Sequence, residues 1–299
     1  MRHSDSLPQL ATTGERLMTE NRTHNVPEHL HRYALACRLA CGLDTLDIAC
    51  GEGYGTNLLA AHAASVVGVD VSADAVAHAA HKYKRSGLRF LHGSATAIPL
   101  ADASVDLVVS FETLEHLHEQ DEMMGEIRRV LRPSGQLIIS SPDKRFYTDA
   151  TGHKNQYHLR ELYCDEFRKL ISRHFPHTYM MFQRIAYGSI IVPEHPEPGF
   201  HEYRGDFSGF SVRAELEEAM YNIAIASDAP LKNLSLSFWD GMPLHEQRLR
   251  DLEEEISAVR RRPAVVNKSL AMRVARAVTA SLMLFGICPA HFQRSVDNG

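Results

Sequence analysis

Apolar residues in this chain fall into short runs that alternate with segments of helical spacing. In PEHLHRYALACRLAC (27–41), Leu30, Ala34, Leu35 and Leu39 follow steps that predict a helix ended by Gly42. Next, TLDIAC (45–50) predicts a buried strand, NLLAAHAA (57–64) a helix, SVVGVDVS (65–72) a strand and ADAVAHAAHKYKRS (73–86) a helix. LRFL (88–91) and VDLVVSFE (105–112) predict a third and a fourth strand. DEMMGEIRRVLR (121–132) predicts a helix stopped by Pro133 and turned at Ser134-Gly135, before the strand QLIISSPD (136–143). Glu161 to Ser172 has helical spacing, while TYMMFQRI (178–185) and YNIAIASD (221–228) predict extended chain, for seven strands in all. Short β-branched runs between amphipathic helices are what a mostly parallel sheet covered on both faces requires, so the fold class is α/β.

The rest of the chain departs from this rhythm. IIVPEHPEPGFHEYRGDFSGF (190–210) is rich in Gly, Pro and aromatic residues and too irregular for a core element; an insertion of about 186–219 is expected to cap the site. In HEQRLRDLEEEISAVRRRP (245–263), Leu249, Leu252, Ile256 and Val259 occupy heptad positions over about two heptads, either a short amphipathic helix against the body or a dimerising coiled coil. KSLAMRVARAVTASLMLFGICPA (268–290) is apolar but carries Arg273 and Arg276, and its uninterrupted part is shorter than the ~20 residues a span needs. A surface-lying helix fits it better. The expected domains are therefore 1–240, the helix 243–262 and a basic and apolar tail 263–299.

Composition narrows the function classes. A hydrophobic fraction of 44% and a charged fraction of 23% are ordinary globular values, which argues against disorder and against a membrane-embedded body. The net charge of −5 and the lack of a long basic block argue against nucleic acid as partner. Five cysteines without a CxxC pair make a disulfide framework or zinc knuckle an unsuitable reading and suit reduced thiols. MRHSDSLPQLATTGERL lacks the apolar stretch of a secretory signal, so a cytoplasmic protein is expected, with peripheral contact to the inner membrane face through the tail.

The candidate chemistry begins in LDIACGEGYG (46–55), where Gly51, Gly53 and Gly55 follow a strand and precede a helix, so the backbone can approach a nucleotide-like ligand. Asp70, at the end of the next strand, can accept hydrogen bonds from two ribose hydroxyls. Together they point to an adenosine-containing cofactor. The dinucleotide fingerprint GxGxxG counted from Gly51 would need glycine where Thr56 stands, and it does not carry an acid such as Asp47. LDIACGEGYG, VVGVDVS, FLHGSATAIPLADASVDLVVSFETLEHL and RRVLRPSGQLIISSPD, over residues 45–143, instead resemble class I methyltransferases of the type 11 group.

That resemblance implies a Rossmann-like sheet and S-adenosyl-L-methionine as cofactor. It implies that Gly51 and Gly53 pass beneath the methionine part and ribose, that Asp47 orients the loop or the cofactor's ammonium, that Asp70 binds the ribose and that Val71 flanks adenine. Many relatives have an acid after the third strand; here the sequence is GSATAIP, leaving Ser94 or the Ala95 amide for the adenine amine. Ala49 stands where many relatives have glycine. TTGERL with EHLHRYALA resembles a narrower subgroup associated with polysaccharide and glycoconjugate biosynthesis, which implies that Glu15, Arg16, His31, Arg32 and Tyr33 close over the cofactor's amino-acid end.

A sulfonium methyl is already activated, so alignment supplies much of the acceleration, while an alcohol acceptor gains from a base. SFETLEHLHEQDE places Glu112, Glu115 and His116 beyond the fourth strand, and HKNQYHLREL places His153, Asn155, Tyr157 and His158 beyond the fifth. His116, His158 and Glu112 are the catalytic candidates. HxH pairs occur at His29/His31 and His116/His118, but rings two apart on a helix face different ways and HExxH is absent, so no metal is expected. The expected activity is O-methylation of a sugar hydroxyl on a glycan, glycolipid or nucleotide-linked sugar, with a homo-oligomer through 243–262. The alternatives are an N- or C-methyltransferase of an antibiotic-like or quinone-like molecule, a catalytically idle cofactor-binding scaffold, and a nicotinamide oxidoreductase.

Overall fold

The computed structural model describes residues 10, 16–20, 26–186, 190–191, 199–206, 208–232 and 234–260. They fall into two units, one drawn from 1–184 and 197–237 and the other from 185–196 and 238–299. The expected tail 263–299 and Glu15 lie outside the described residues.

In the first unit the order is α1 (Val26–Leu39), β1 (Asp44–Ile48), α2 (Tyr54–Leu59), β2 (Ser65–Asp70), α3 (Ala73–Lys82), β3 (Leu88–His92), β4 (Val105–Phe111), α4 (Gln120–Val130), β5 (Leu131–Pro142), α5 (Cys164–His174), β6 (His177–Gln183), β7 (Glu202–Asp206), β8 (Gly209–Arg213) and β9 (Tyr221–Ser227). Seven strands form one sheet in the order β3-β2-β1-β4-β5-β9-β6. β1 to β5 pair in parallel, whereas β9 runs antiparallel to both β5 and β6. The α/β, Rossmann-like expectation holds, with the reversed strand at β9.

Side chains alternate across each strand and so fill two cores. Leu46, Ile48, Val67, Val69, Val108, Leu137 and Ile139 pack with Met123, Met124 and Ile127 of α4 and Phe167, Leu170 and Ile171 of α5. On the opposite face, Val66, Leu107, Val109, Ile138, Ile223 and Ile225 meet Tyr33, Ala36, Cys37 and Ala40 beside Leu59 of α2. Each such aliphatic side chain, fully buried, contributes about 1.5–3 kcal/mol. With both faces covered, ligands are left to the carboxyl ends of the parallel strands, where the order reverses between β1 and β4.

Three expectations change. The helix α4 ends at Val130, and Pro133 lies inside β5, whose pairing with β4 skips from Val105↔Leu131 to Leu107↔Gln136 across a bulge with Ser134 at φ +66°; a bulge tolerates a proline that a regular ladder would not. The buried face of α1 is Glu28, Arg32, Tyr33, Ala36 and Cys37, while Ala34 is exposed and Leu35 and Leu39 are half-buried. Within the expected irregular insertion, β7 and β8 pair as a two-stranded antiparallel sheet.

The second unit contains α6 (Met242–Arg260), in which Leu252 is buried and Leu249 is 42% exposed. No described helix is long and apolar enough to cross a membrane.

Candidate active site

The loop after β1 is built on a buried carboxylate. Asp47, fully buried, accepts hydrogen bonds from Thr56 Oγ1 at 2.7 Å and Tyr33 Oη at 3.2 Å, and burial pushes its pKa up to about 7. Of the two roles considered for Asp47, this geometry serves the first: it ties the loop to α2 and α1. Tyr33 leans edge-on against Phe111 and fills the space beside Gly55, where a Cβ would lie 1.9 Å from its ring.

The glycines differ in what they do. Gly53 has φ +89°, and a Cβ there would lie 2.7 Å from Ala79 Cβ, so its smallness serves the packing of α3 as well as the turn. A Cβ at Gly51, at φ +57°, would have the Arg16 side chain as its nearest neighbour, at 3.4 Å, an ordinary contact that leaves this position approachable by a ligand. Ala49 also adopts a left-handed φ of +56°, strained for a residue with a Cβ.

Asp70 completes this half. Its two carboxylate oxygens accept from Gly51 N and Ser72 N, each at 2.8 Å, and Arg16 Nη2 lies 4.0 Å away. A carboxylate has further lone-pair directions, so these bonds orient Asp70 and still allow hydroxyl donors. Val71, next to it, is 73% exposed, as an apolar flank for a planar base must be. Ser94 Oγ is held in a local turn by Thr96 N at 3.1 Å and Thr96 Oγ1 at 2.8 Å, and Ala95 packs on the core. These bonds hold the serine hydroxyl in place beside the end of β3.

Glu52, which the sequence reading passed over, is fully buried and accepts from Thr19 Oγ1 at 2.7 Å, Lys82 Nζ at 2.5 Å and Tyr83 Oη at 2.9 Å. It fastens the glycine loop to α3 and to the segment around Thr19.

Arg32 occupies the centre of the other half. It is 1% exposed; Nη1 donates to Gln183 Oε1 at 2.9 Å, and its guanidinium lies 4.8 Å from the Tyr221 ring and 5.9 Å from that of Phe111. Glu112 Oε1 is 3.7 Å from Nη1. Nε and Nη2 have no partner among the described residues. Two buried guanidinium donors without acceptors suit a ligand carboxylate, which is what the cofactor's amino-acid end offers. Glu28 is close enough to feel Arg32, but burial outweighs that attraction and raises its pKa to about 7.

Glu112 has φ +52° and accepts from Ser140 Oγ at 2.6 Å. Such backbone strain in a bulky residue persists only where neighbours impose it. Its position between Arg32 and Ser140 makes it a positioning group for the guanidinium.

His116 and His158, far apart in sequence, meet with ring centroids 5.1 Å apart. His116 Nδ1 lies 3.0 Å from the Tyr157 carbonyl oxygen, so that nitrogen carries the proton and Nε2 the lone pair. His158 Nδ1 likewise faces Glu161 Oε1 at 2.5 Å, and Tyr147 stacks on its ring at 5.4 Å. Glu115 lies behind them, fully buried; burial, followed by the charge of Glu112, holds its carboxyl well above the usual range. The main chain fixes the meeting: Leu159 N and Arg160 N donate to the Glu115 carbonyl at 2.8 and 3.0 Å. His118 is exposed, so the HxH spacing was not the relevant one. His31 Nε2 pairs with Ser237 Oγ at 2.8 Å. The signal for Glu115 was present in its adjacency to His116, whereas Gln183 and Tyr221, from β6 and β9, carried none.

Parts of this chain resemble known proteins. Residues 46–139 match the family described as a methyltransferase domain. The chain is 37% identical over 171 residues to a "Probable S-adenosylmethionine-dependent methyltransferase" of Mycolicibacterium smegmatis, a match covering 56% of this chain and 66% of that relative. It is 31% identical over 108 residues to a fatty-acid O-methyltransferase of the same organism, covering 35% of this chain and 39% of the relative. The chain thus spans about two thirds of the first curated relative and much less of the second. A chain from the Haloferax volcanii complex that contains the Trm112 methyltransferase activator superposes with TM-score 0.50 at 19% identity, covering 68% of this chain and 92% of that one, a likeness of fold. Residues 46–139, which match the methyltransferase-domain family, are set in a Rossmann-like α/β sheet, and a domain of that family implies S-adenosylmethionine as its cofactor.

Proposed function

We propose that this protein is an S-adenosylmethionine-dependent methyltransferase that methylates a hydroxyl of a sugar, on a glycan, a glycolipid or a nucleotide-linked sugar. When bound, the cofactor supplies a methyl group activated by a positive sulfur. Asp70 would hold the ribose, Val71 would flank adenine, Gly51 would let the backbone approach, and the unpartnered Arg32 donors would take the carboxylate. The observation that carries the choice of a hydroxyl acceptor is the meeting of His116 and His158, each with Nδ1 engaged so that Nε2 holds the lone pair. A hydroxyl is too weak an acid to lose its proton unaided near neutrality, and an imidazole positioned beside it accelerates such a step by roughly 10²–10⁴-fold. An imidazole Nε2 would take the hydroxyl proton as the methyl group passes from sulfur to the acceptor oxygen, with sulfur keeping the electron pair of the broken bond, and would then release that proton to solvent.

The sugar itself rests on the resemblance of TTGERL and EHLHRYALA to a glycoconjugate subgroup. Pairing of two chains through α6, supported by the heptad spacing of Leu249, Leu252 and Ile256, and contact of the tail with the inner membrane face, supported by Arg273 and Arg276, belong to the same proposal. A second reading, a lipid carboxyl as acceptor, is favoured by the similarity to the fatty-acid O-methyltransferase; a carboxylate needs no base. Incubation with methyl-labelled S-adenosylmethionine and separate pools of nucleotide sugars, glycolipids and fatty acids distinguishes the two. Label in a sugar, lost in both His116→Ala and His158→Ala at unchanged cofactor affinity, supports the proposal. Label confined to fatty-acid esters, or full turnover in both variants, overturns it.

A further inference from the structure

Glu115 lies behind the paired imidazoles of His116 and His158, and this arrangement has a second chemical meaning. One potential ligand atom from each lies within 4.8 Å of the other two, and Glu115 Oε1 is 4.0 Å from His116 Nε2. Around a tetrahedral zinc ion, with bonds of about 2.0–2.2 Å, neighbouring ligand atoms are about 3.3 Å apart. Rotamer adjustments of well under an ångström per atom bring the trio to that spacing.

We propose that Glu115, His116 and His158 form a binding site for one divalent cation of the zinc class, with a coordination position left open for water or a hydroxyl. Three independent features support it. The first is the protonation pattern of the imidazoles: a carbonyl oxygen can only accept, so His116 donates from Nδ1 to Tyr157 O and keeps its lone pair on Nε2. His158 shows the same arrangement toward the Glu161 carboxylate. An acceptor on the far nitrogen is the usual companion of a metal-bound histidine, since it sets the tautomer and raises the basicity of the ligating nitrogen.

The second feature is Glu115 Oε1, which is fully buried and has no hydrogen-bond partner among the described residues, while its other oxygen accepts from Ser141 Oγ at 3.2 Å. A carboxylate in that position is costly unless something positive meets it, and Arg32 is close enough to act on it only weakly. The third is rigidity. The backbone bonds from Leu159 and Arg160 to the Glu115 carbonyl, together with Gln120 Nε2 donating to Leu114 O at 3.0 Å and Arg160 O at 2.9 Å, fix the two ligand-bearing segments to one another before any ion arrives. Two nitrogens and one oxygen favour zinc, cobalt or a similar ion over magnesium or calcium, which prefer all-oxygen shells. The proposal replaces the expectation of no metal; a bound ion would occupy the Nε2 lone pairs that the proposed proton transfer uses, so the two roles belong to the ion-loaded and the ion-free chain, and a binding test without cofactor or acceptor reads this site apart from turnover.

The test uses the full chain, stripped with a chelator, without cofactor or acceptor. Titration with Zn²⁺ by calorimetry should show one tight equivalent, and Co²⁺ should give the visible absorption of a four- or five-coordinate site. Glu115→Gln and His158→Asn should each weaken Zn²⁺ binding by well over tenfold, and Glu161→Ala, acting through His158, by about 10–100-fold. His118→Ala, an exposed histidine, should leave it unchanged and so reports on binding elsewhere among the 18 histidines. If Glu115→Gln fails to fold by circular dichroism, His158→Asn and Glu161→Ala decide the matter. The absence of a tight equivalent, or a tight equivalent that persists in His158→Asn and Glu161→Ala, overturns the proposal.

Discussion

Replacing Asp47 by asparagine should change how the stability of this protein depends on pH, and the change can be worked from the structure. Asp47 is fully buried beneath the glycine loop, where desolvation raises its pKa from the ordinary 3.8 to about 7 against the opposing hydrogen bonds from Thr56 and Tyr33. An acid whose folded-state value is raised binds more protons folded than unfolded between those two values, so stability falls as pH climbs from about 4 to about 7 and levels off above. A rise of this size corresponds to about 4 kcal/mol at 1.36 kcal/mol per pH unit, an upper figure because unfolded chains already shield some of their groups. Asparagine keeps the volume and can still accept from Thr56 Oγ1, but it has no proton to lose. Urea unfolding of both proteins at intervals between about pH 4 and about pH 8 measures the difference directly. The variant should gain on the wild type steadily as pH rises, by a few kcal/mol at the top of the range. Glu28, also raised to about 7, titrates in the same window and cancels in the difference. A gap between the two proteins that stays constant over the whole range would refute the reasoning.

Other consequences follow from the same geometry. Ala49→Gly should relieve the left-handed backbone at φ +56° and stabilise by about 1 kcal/mol, read as a melting temperature higher by about 2–4 °C. Gly55→Ala should do the reverse, costing about 3 kcal/mol as its methyl meets Tyr33, with a matching loss in calorimetry. Arg32→Lys retains the charge but removes the fork of donors, so the dissociation constant for S-adenosylhomocysteine should rise by roughly tenfold or more while circular dichroism stays that of the wild type.

Much of the sheet was legible because its physics is local. Runs such as Leu107 to Val109 and Leu137 to Ile139 are apolar throughout, which only a strand buried on both faces requires, and their order with the helices between them gives the parallel arrangement. Asp70 and Gly51 were readable for the same reason: the spacing between them is set by one helix and one strand. In α1 the apolar spacing found only the margin of the buried face, where Leu35 and Leu39 pack on the core, since this helix also buries Glu28 and Arg32 at the site and leaves Ala34 exposed. The hairpin of β7 and β8 was hidden by glycines and charges, with no alternation to betray it. His116 and His158 could each be named as candidates, but their meeting, and the third group behind them, depend on main-chain bonds between distant loops that no pattern of side chains encodes.

Those main-chain bonds have an implication for how such a protein can change. Because Leu159 and Arg160 grip the Glu115 carbonyl through amide groups, the grip is indifferent to which side chains the neighbouring loop carries. An exposed position such as Lys154 can therefore be exchanged without moving the two imidazoles. A lineage could alter the molecules it admits through that loop while inheriting the same reactive pair intact.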